Sequence, residues 1–163
     1  MKSIIIYFKK YCIYIVSIVI IFFIIIHPGY DNVEDYFLKN YKSASEILYQ
    51  NSYSEDHYII FFLNNDGWIY CALIKKEFTG YRLIRTSGRF TISDSPYLYS
   101  FFLDNDENYW INWKIIIDKK IKSIWTEYGK MNLVECKPYN YRICWMIGKG
   151  KAPQVHNEKT SDK

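Results

Sequence analysis

Histidine is scarce in this sequence, and its scarcity limits the chemistry that we expect. The chain holds three histidines: His27 follows a long apolar run, His156 lies in a polar C-terminal stretch, and His57 lies between them. Zinc sites and serine-histidine-aspartate triads need several such groups to converge. The sequence also lacks a Gly-x-Ser-x-Gly motif, and its GKGK stretch lacks the rest of a phosphate loop. We therefore predict no catalytic residue, no metal site and no cofactor.

Small residues are missing where a secretory signal would be cut. Sixteen uncharged and mostly apolar residues run from Tyr11 to Ile26. As a helix, this run is shorter than the bilayer core of roughly 30 Å, but the apolar stretch before Lys9 extends it. The run ends at His27 without the spaced pair of small residues that signal peptidase requires. We expect an uncleaved transmembrane anchor, and a cleaved signal peptide is the alternative.

The charges around the run predict its orientation. Lysines precede it and acidic residues follow it from Asp31 onward, which favours a cytoplasmic N-terminus in a single-pass protein of the cell membrane. The net charge of +4 mostly reflects the anchor, so we expect the bilayer and not a nucleic acid as a partner. We divide the chain into a cytoplasmic end and anchor (1–27), an extracytoplasmic α+β domain (28–148) and a disordered polar tail (149–163).

The residues after the run predict an amphipathic helix close to the membrane. In DNVEDYFLKNYKSASEILYQN, residues 31–51, apolar side chains recur every three or four positions between Val33 and Leu48. Asp31 followed by Glu34 resembles a capping box. We expect the apolar stripe to pack on the core of the domain rather than to bind a partner.

Two apolar stretches around Asp66 and Gly67 predict a β-hairpin. With a two-residue Asp-Gly loop, Leu63 would lie opposite Tyr70. Both faces of these strands are apolar, so we expect them to be central in a sheet and covered on both sides. The amphipathic helix would cover one face, and the second half of the domain would cover the other.

The second half of the domain predicts one short helix and several strands. The helix would begin after Ser95, before a proline, and end near Leu103. YWINWKIIID alternates, which predicts a half-buried strand. The apolar face of this strand would hold Tyr109, Ile111, Trp113, Ile115 and Ile117. YRLIRT, IKSIWTEY, MNLVECK and YRICWMI predict further strands. The predicted class is α+β: a transmembrane helix, a membrane-proximal amphipathic helix, then mainly antiparallel sheet with one short helix.

Three stretches, NNDGWIYCALIKKEFTGY, INWKIIIDKKIKSI and YRICWMIGKG, carry a resemblance to a known group. With them the chain resembles small membrane-anchored or lipoprotein-like exported proteins of Gram-positive bacteria, a family of uncharacterised role. The stretches are structural rather than catalytic, so the resemblance implies no activity.

Three cysteines follow the apolar run. If LVECK and YRICW pair around Asn140, Cys136 and Cys144 lie opposite one another, and a strained cross-strand disulfide becomes one alternative. The other alternative, which we expect, is that both residues and Cys71 are small, buried, apolar side chains.

Two functions remain open from the sequence. The first is a non-catalytic binding or interaction domain that engages another envelope protein or a cell-wall component. Its surface would include Trp110, which lies opposite the apolar face of its strand, and Trp125. The second is a small exported hydrolase whose carboxylates, such as Asp104 and Glu107, converge only in the fold. Aromatic residues are 20% of the chain, which either codon usage or an exposed aromatic surface explains. We expect the binding domain.

Overall fold

The fold was obtained as a computed structural model, which describes residues 11–21, 29–90, 98–104, 107–137, 139–151 and 155–160. Helix α1 covers residues 11–21, and helix α2 is Val33–Asn40. The strands are β1 (Ala44–Ser52), β2 (His57–Asn64), β3 (Ile69–Glu77), β4 (Gly80–Phe90), β5 (Leu98–Asp104), β6 (Glu107–Ile116), β7 (Ile121–Thr126), β8 (Gly129–Lys130), β9 (Asn132–Cys136), β10 (Tyr141–Lys149) and β11 (Val155–Thr160). The strand pairs are antiparallel, so the predicted α+β class is confirmed.

Helix α1 presents its apolar side chains to the surroundings. All 11 of its residues are exposed, and the side chains of Ile13 and Ile18 are 66% and 64% exposed. Within the described ranges, no helix combines the length and the apolarity that crossing a membrane requires. Residues 1–10 and 22–28 of the predicted anchor lie outside the described residues, and the transmembrane helix stays a prediction.

The strands form three sheets that stack in layers. Sheet A has the order β1-β2-β3-β4, sheet B the order β5-β6-β10-β9, and sheet C the order β11-β7-β8. The main core lies between sheets A and B, where the rings of Phe61 and Trp113 meet with their centroids 5.2 Å apart. Four residues of the predicted apolar face of β6, Tyr109 to Ile115, point into this core, whereas Ile117 lies beyond the strand and is exposed.

Two smaller cores cover the outer faces of sheets A and B. Phe37 of α2 packs on Phe62 of sheet A with ring centroids 4.9 Å apart. On the outer face of sheet B, Ile116 and Cys144 pack against Ile124 of sheet C. Strands β2 and β3 are therefore covered on both sides, as predicted, by α2 and by the second half of the domain.

The amphipathic helix is shorter than predicted. The side chain of Asn32, and not of Asp31, caps α2 by accepting a hydrogen bond of 2.9 Å from the backbone of Asp35. The helix ends at Asn40, and the remainder of the predicted helix forms β1, which pairs with β2. The prediction of one helix over residues 31–51 is therefore wrong, because pairing with the open edge of β2 outweighs the local helical pattern.

The β2–β3 hairpin has a longer loop than the sequence predicted. The side chain of Asn64 accepts hydrogen bonds from the backbone of Asp66 (3.1 Å) and of Trp68 (2.8 Å), so its amide takes the place of a backbone acceptor. Leu63 consequently pairs with Ile69 rather than with Tyr70. This shift of one residue reverses the faces of β3, so alternate residues of that strand point to the opposite core from the predicted one.

Two further segments differ from the prediction. The short helix predicted from residue 95 to 103 is wrong where the structure describes it, since Leu98–Asp104 is strand β5, paired with β6. Residues 95–97 lie outside the described residues. In the tail that we predicted to be disordered, Val155–Thr160 forms β11 on the edge of β7. Backbone pairing needs no apolar side chain, so the polar composition of the tail did not reveal this strand.

The cysteines are thiols and form no disulfide among the described residues. Cys136 pairs across the strands with Tyr141, and Cys144 pairs with Leu133, so the two cysteines belong to cores on opposite faces of sheet B. The disulfide alternative is therefore wrong, and the expected buried state of these cysteines and of Cys71 is confirmed. Burial raises the pKa of Cys136 to about 11, so this thiol stays protonated at neutral pH.

Candidate functional site

A cleft lies at the end of sheet B, where β6 turns towards β7 and β9 turns towards β10. Its volume is about 290 Å³. The residues that line it come from two stretches of the chain, 116–122 and 135–142: Ile116, Ile117, Lys119, Lys122, Glu135, Lys137, Tyr139, Asn140, Tyr141 and Arg142. Strand pairing brings these segments together, because Arg142 pairs with Ile116 on one side and with Glu135 on the other.

Hydrogen bonds hold the β6–β7 turn against the cleft. The guanidinium of Arg142 donates through Nη2 to the backbone oxygen of Asp118 over 2.7 Å. The carboxylate of Asp118 in turn accepts a hydrogen bond of 2.8 Å from the backbone of Lys120. This Asx-type turn fixes the backbone on either side of Lys119. The rim of the cleft is therefore built on an ordered turn rather than on a free loop.

Positive charge dominates the lining of the cleft. Three lysines and Arg142 face a single carboxylate, that of Glu135. The side chains of Lys119, Lys122 and Lys137 are exposed, and none of them forms a hydrogen bond or ion pair with another residue of the described ranges. Uncompensated cations around a concave surface concentrate field lines and attract anions. The chemistry of this lining fits an anionic ligand.

Two tyrosines also line the cleft, and the hydroxyl of Tyr141 is buried within the domain. The rings of Tyr139 and Tyr141 stack with their centroids 5.4 Å apart. The hydroxyl of Tyr139 donates to the carboxylate of Glu46 over 2.6 Å, which links this corner of sheet B to β1 of sheet A. That hydrogen bond, followed by burial and the charge of Glu46, raises the pKa of Tyr139. Burial raises the pKa of Tyr141 as well, so both hydroxyls are neutral at physiological pH.

Trp110 does not lie on the surface where the sequence placed it. Its side chain is 3% exposed, its Nε1 donates to the backbone oxygen of Lys149 over 3.3 Å, and the ring of Tyr128 stacks on it. Gly148 on the paired strand makes room for the indole, since a Cβ there would lie 2.6 Å from Cζ2 of Trp110. The glycine inside YRICWMIGKG could have indicated this burial from the sequence, because a glycine within a strand often marks a place where another group approaches the backbone closely.

Trp125 does lie on the surface. Its side chain is 42% exposed, and its Nε1 donates to the hydroxyl of Ser123 over 3.2 Å. It follows Lys122 by three residues on β7, a distance of about 10 Å along a strand. Of the two tryptophans that the sequence suggested, one is therefore a candidate surface residue, and it lies on a strand that also lines the cleft.

A serine, an aspartate and a histidine meet at the start of β2, but not as a catalytic triad. The Nδ1 of buried His57 lies 2.6 Å from the carboxylate of Asp56 and 3.2 Å from the hydroxyl of Ser54. In a triad the two neighbours use different ring nitrogens, whereas here both use the same one. Burial raises the pKa of Asp56, but the hydrogen bond and charge of His57 outweigh it, and the net shift is downward. The cluster caps a turn.

The two acidic residues of the hydrolase alternative occupy strand positions far from the cleft. Asp104 and Glu107 occupy paired positions at the end of the β5–β6 hairpin. Glu107 begins β6 and Ile116 ends it, so the hairpin and the cleft are separated by about 30 Å of strand. In the part of the chain that the structure describes, no group of three or more His, Cys, Asp or Glu side chains is arranged to hold a metal ion.

The cleft is therefore the site whose geometry and charge point most directly to a ligand. Its lining combines four cations, one carboxylate and two neutral tyrosines in one concave surface. Comparison with known proteins finds no family model, no curated protein and no solved structure that matches the chain.

Proposed function

We propose that this chain is a single-pass membrane protein whose extracytoplasmic domain binds an anionic partner in the cleft without catalysing a reaction. The partner is another envelope protein or a cell-wall component. The observation that carries the proposal is the lining of the cleft, where Lys119, Lys122, Lys137 and Arg142 face one carboxylate. Anion binding follows directly from that excess of positive charge.

The exposed apolar helix supports the membrane attachment. Residues 11–26 are almost all apolar, and every described residue of this run belongs to α1 and is exposed. Apolar surface on this scale is unfavourable in water and is removed from water by a bilayer. Lysines before the run and acidic residues after it favour a cytoplasmic N-terminus. This arrangement also agrees with the resemblance to small anchored exported proteins.

The residues of the cleft favour binding over hydrolysis. Hydrolysis of a glycosidic bond needs two carboxyl groups that flank the scissile bond. The cleft is lined by a single carboxylate, that of Glu135, and its remaining charged groups are cations whose ordinary role is to attract anions. Trp125 offers an aromatic surface on the same strand as Lys122, which would extend the contact with a large partner.

Charge reversal in the cleft tests the proposal. The full chain is purified in detergent, and its binding to two soluble polyanions, polyphosphate and polyglutamate, is measured at low and at high salt. The variant Lys122→Glu/Lys137→Glu should bind the preferred polyanion about tenfold more weakly, which corresponds to two exposed ion pairs. Wild-type binding should also weaken as salt rises.

Lys42→Glu is the matched control for this test. It reverses an exposed lysine in the turn before β1, outside the cleft, and should bind like the wild type. Circular dichroism checks that each variant is folded. Wild-type affinity of the cleft variant, or equal losses in the variant and in the control, would refute the assignment of the cleft. The preferred polyanion indicates whether the partner is a phosphate polymer or an acidic protein segment.

A further inference from the structure

One edge of strand β7 is closed by the C-terminal strand β11. Strand β7 is the middle strand of sheet C, with β8 on one side and β11 on the other. Strand β8 is two residues long and pairs only with Trp125 and Thr126. Among the described strands, the first part of β7, from Ile121 to Ser123, therefore has β11 as its only neighbour. When β11 is absent, the backbone groups on this edge of β7 have no strand to pair with.

Strand β11 matches this edge poorly. Two register shifts interrupt its six residues, one near each end. At the second shift, neighbouring residues of β11 pair with Ser123 and Ile121, which leaves Lys122 as the extra residue of a bulge in β7. Val155 is the one aliphatic residue in the sequence of β11. A short terminal strand with an irregular ladder and few apolar residues belongs to the part of a fold that opens most easily.

The same edge of β7 leads towards the cleft. Lys122 lines the cleft, and Lys119, which also lines it, lies two residues before the start of β7. Strand β11 runs antiparallel to β7, and its last residue pairs with Ile121. A chain on this edge therefore runs towards the end of β7 that carries the two lysines. A segment that lay there in the same direction and continued past Ile121 would bring its next side chains to the cleft.

The cleft and the edge together indicate the chemistry of the partner. The cations of the cleft attract negative charge, whereas the charges of Glu158 and Lys159 in β11 cancel one another. An acidic segment would therefore make favourable interactions that β11 lacks. The edge of β7 pairs with backbone N–H and C=O groups, which a protein has and a phosphate polymer lacks. An extended acidic stretch of a protein satisfies both surfaces.

We propose that the edge of β7 receives an extended acidic segment of a partner protein, which displaces β11 and continues into the cleft. The inference rests on the proposed binding of an anionic partner by the cleft, and it makes that partner a protein. Because β11 competes with the segment, the affinity is reduced by the fraction of molecules in which the edge is open. Strand β11 would thus regulate access to the site.

Weakening β11 in the full chain should strengthen the binding of such a segment. The variant Asn157→Pro/Lys159→Pro removes two backbone donors from β11 and disfavours its pairing. Its matched control is Asn157→Ala/Lys159→Ala, which changes the charge equally. The probe is a short synthetic peptide that alternates threonine with glutamate, added to the protein in detergent. We expect the proline variant to bind it about tenfold more tightly than the alanine control, the factor for an edge that is open in about one molecule in ten.

Two further measurements separate strand pairing from attraction of charge. A peptide of the same sequence with every backbone nitrogen methylated has the same charge but no donor, so the proline variant should bind it no better than the alanine control does. In hydrogen exchange of the wild type, addition of the unmodified peptide should leave the amides of β7 protected while those of residues 155–160 lose their protection.

Equal affinities of the proline and alanine variants for the unmodified peptide would refute displacement of β11. An equal gain for the methylated peptide or for polyphosphate would refute strand pairing. Loss of the fold in the proline variant, seen by circular dichroism, would also overturn the inference, because β11 would then be a fixed part of the domain. In each of these outcomes the cleft assignment stands if Lys122→Glu/Lys137→Glu still weakens polyanion binding. If that charge reversal has no effect, the proposed function fails and the acidic partner fails with it.

Discussion

Replacing Trp110 by alanine should destabilise the fold rather than remove a binding surface. The indole is 3% exposed, lies against Gly148 and stacks on Tyr128 with ring centroids 5.9 Å apart. Truncation of such a buried aromatic side chain costs about 3–5 kcal/mol of unfolding free energy. The control is Trp125→Ala, whose side chain is 42% exposed and whose loss should cost about 1 kcal/mol or less.

A double-mutant cycle with Gly148→Ala tests the contact itself. The new Cβ would lie 2.6 Å from Cζ2 and 3.0 Å from Cε2 of Trp110, which forces the ring or the strand to move. Overpacking of this kind costs about 1–3 kcal/mol. When Trp110 is already alanine, the clash is absent and alanine is better than glycine in a strand. We therefore expect a coupling free energy of about 1–3 kcal/mol between the two substitutions.

Urea unfolding of the full chain, followed by far-ultraviolet circular dichroism in detergent, measures these free energies. This signal does not depend on the fluorescence of the residue that is replaced. The packing argument is refuted if the unfolding free energy of Trp110→Ala lies within about 1 kcal/mol of that of the wild type, since loss of a buried tryptophan side chain destabilises a fold by more than this. Strict additivity of the two substitutions would refute the proposed contact between Trp110 and Gly148.

Three further predictions concern titratable and reactive groups. Four free thiols should be counted in the denatured, unreduced chain, and a count of two would contradict the structure. In the native protein Cys136 should react slowly, because burial raises its pKa to about 11. The pKa of Asp56 is lowered in the folded state, so its contribution to stability is present above its unfolded pKa and is lost as the pH falls through the folded value. Asp56→Asn should therefore flatten the acid limb of the plot of unfolding free energy against pH. An unchanged limb would argue against the contact with His57. Tyr139→Phe removes the hydrogen bond to Glu46 and should lower the unfolding free energy by about 1 kcal/mol in urea titrations, whereas no loss would show that this link between the sheets adds nothing.

Most strands of the domain were readable in the sequence because their side chains alternate. In most strands apolar and polar side chains alternate, which marks one buried face. Both faces of β2 and β3 are apolar, which showed that another layer must lie on each side of them. The α+β class followed from the same patterns. These features depend only on residues that are close together along the chain, so the sequence by itself determined them.

The tertiary structure decided the segments in which the local sequence pattern does not give the observed conformation. Residues 44–52 have a helical pattern, yet they form β1 because the edge of β2 offers them hydrogen bonds. The side chain of Asn64 lengthens a loop and shifts the register of β3 by one residue. The absence of a Cβ at Gly148 leaves room for the indole of Trp110, so this side chain is buried rather than exposed. In the first and third cases a contact between paired strands, and in the second a side-chain hydrogen bond within the loop, selects among conformations that local propensity leaves nearly equal in free energy.

The cleft was beyond the reach of sequence reasoning for a related reason. Its four cations belong to two stretches, 116–122 and 135–142, and nothing in the spacing of Lys119, Lys122, Lys137 and Arg142 marks them as a group. The pairing of β10 with both β6 and β9 brings them together. The sequence determined how much charge the domain carries, and the sheet determined where that charge lies, because strand pairing joins residues without regard to their separation along the chain.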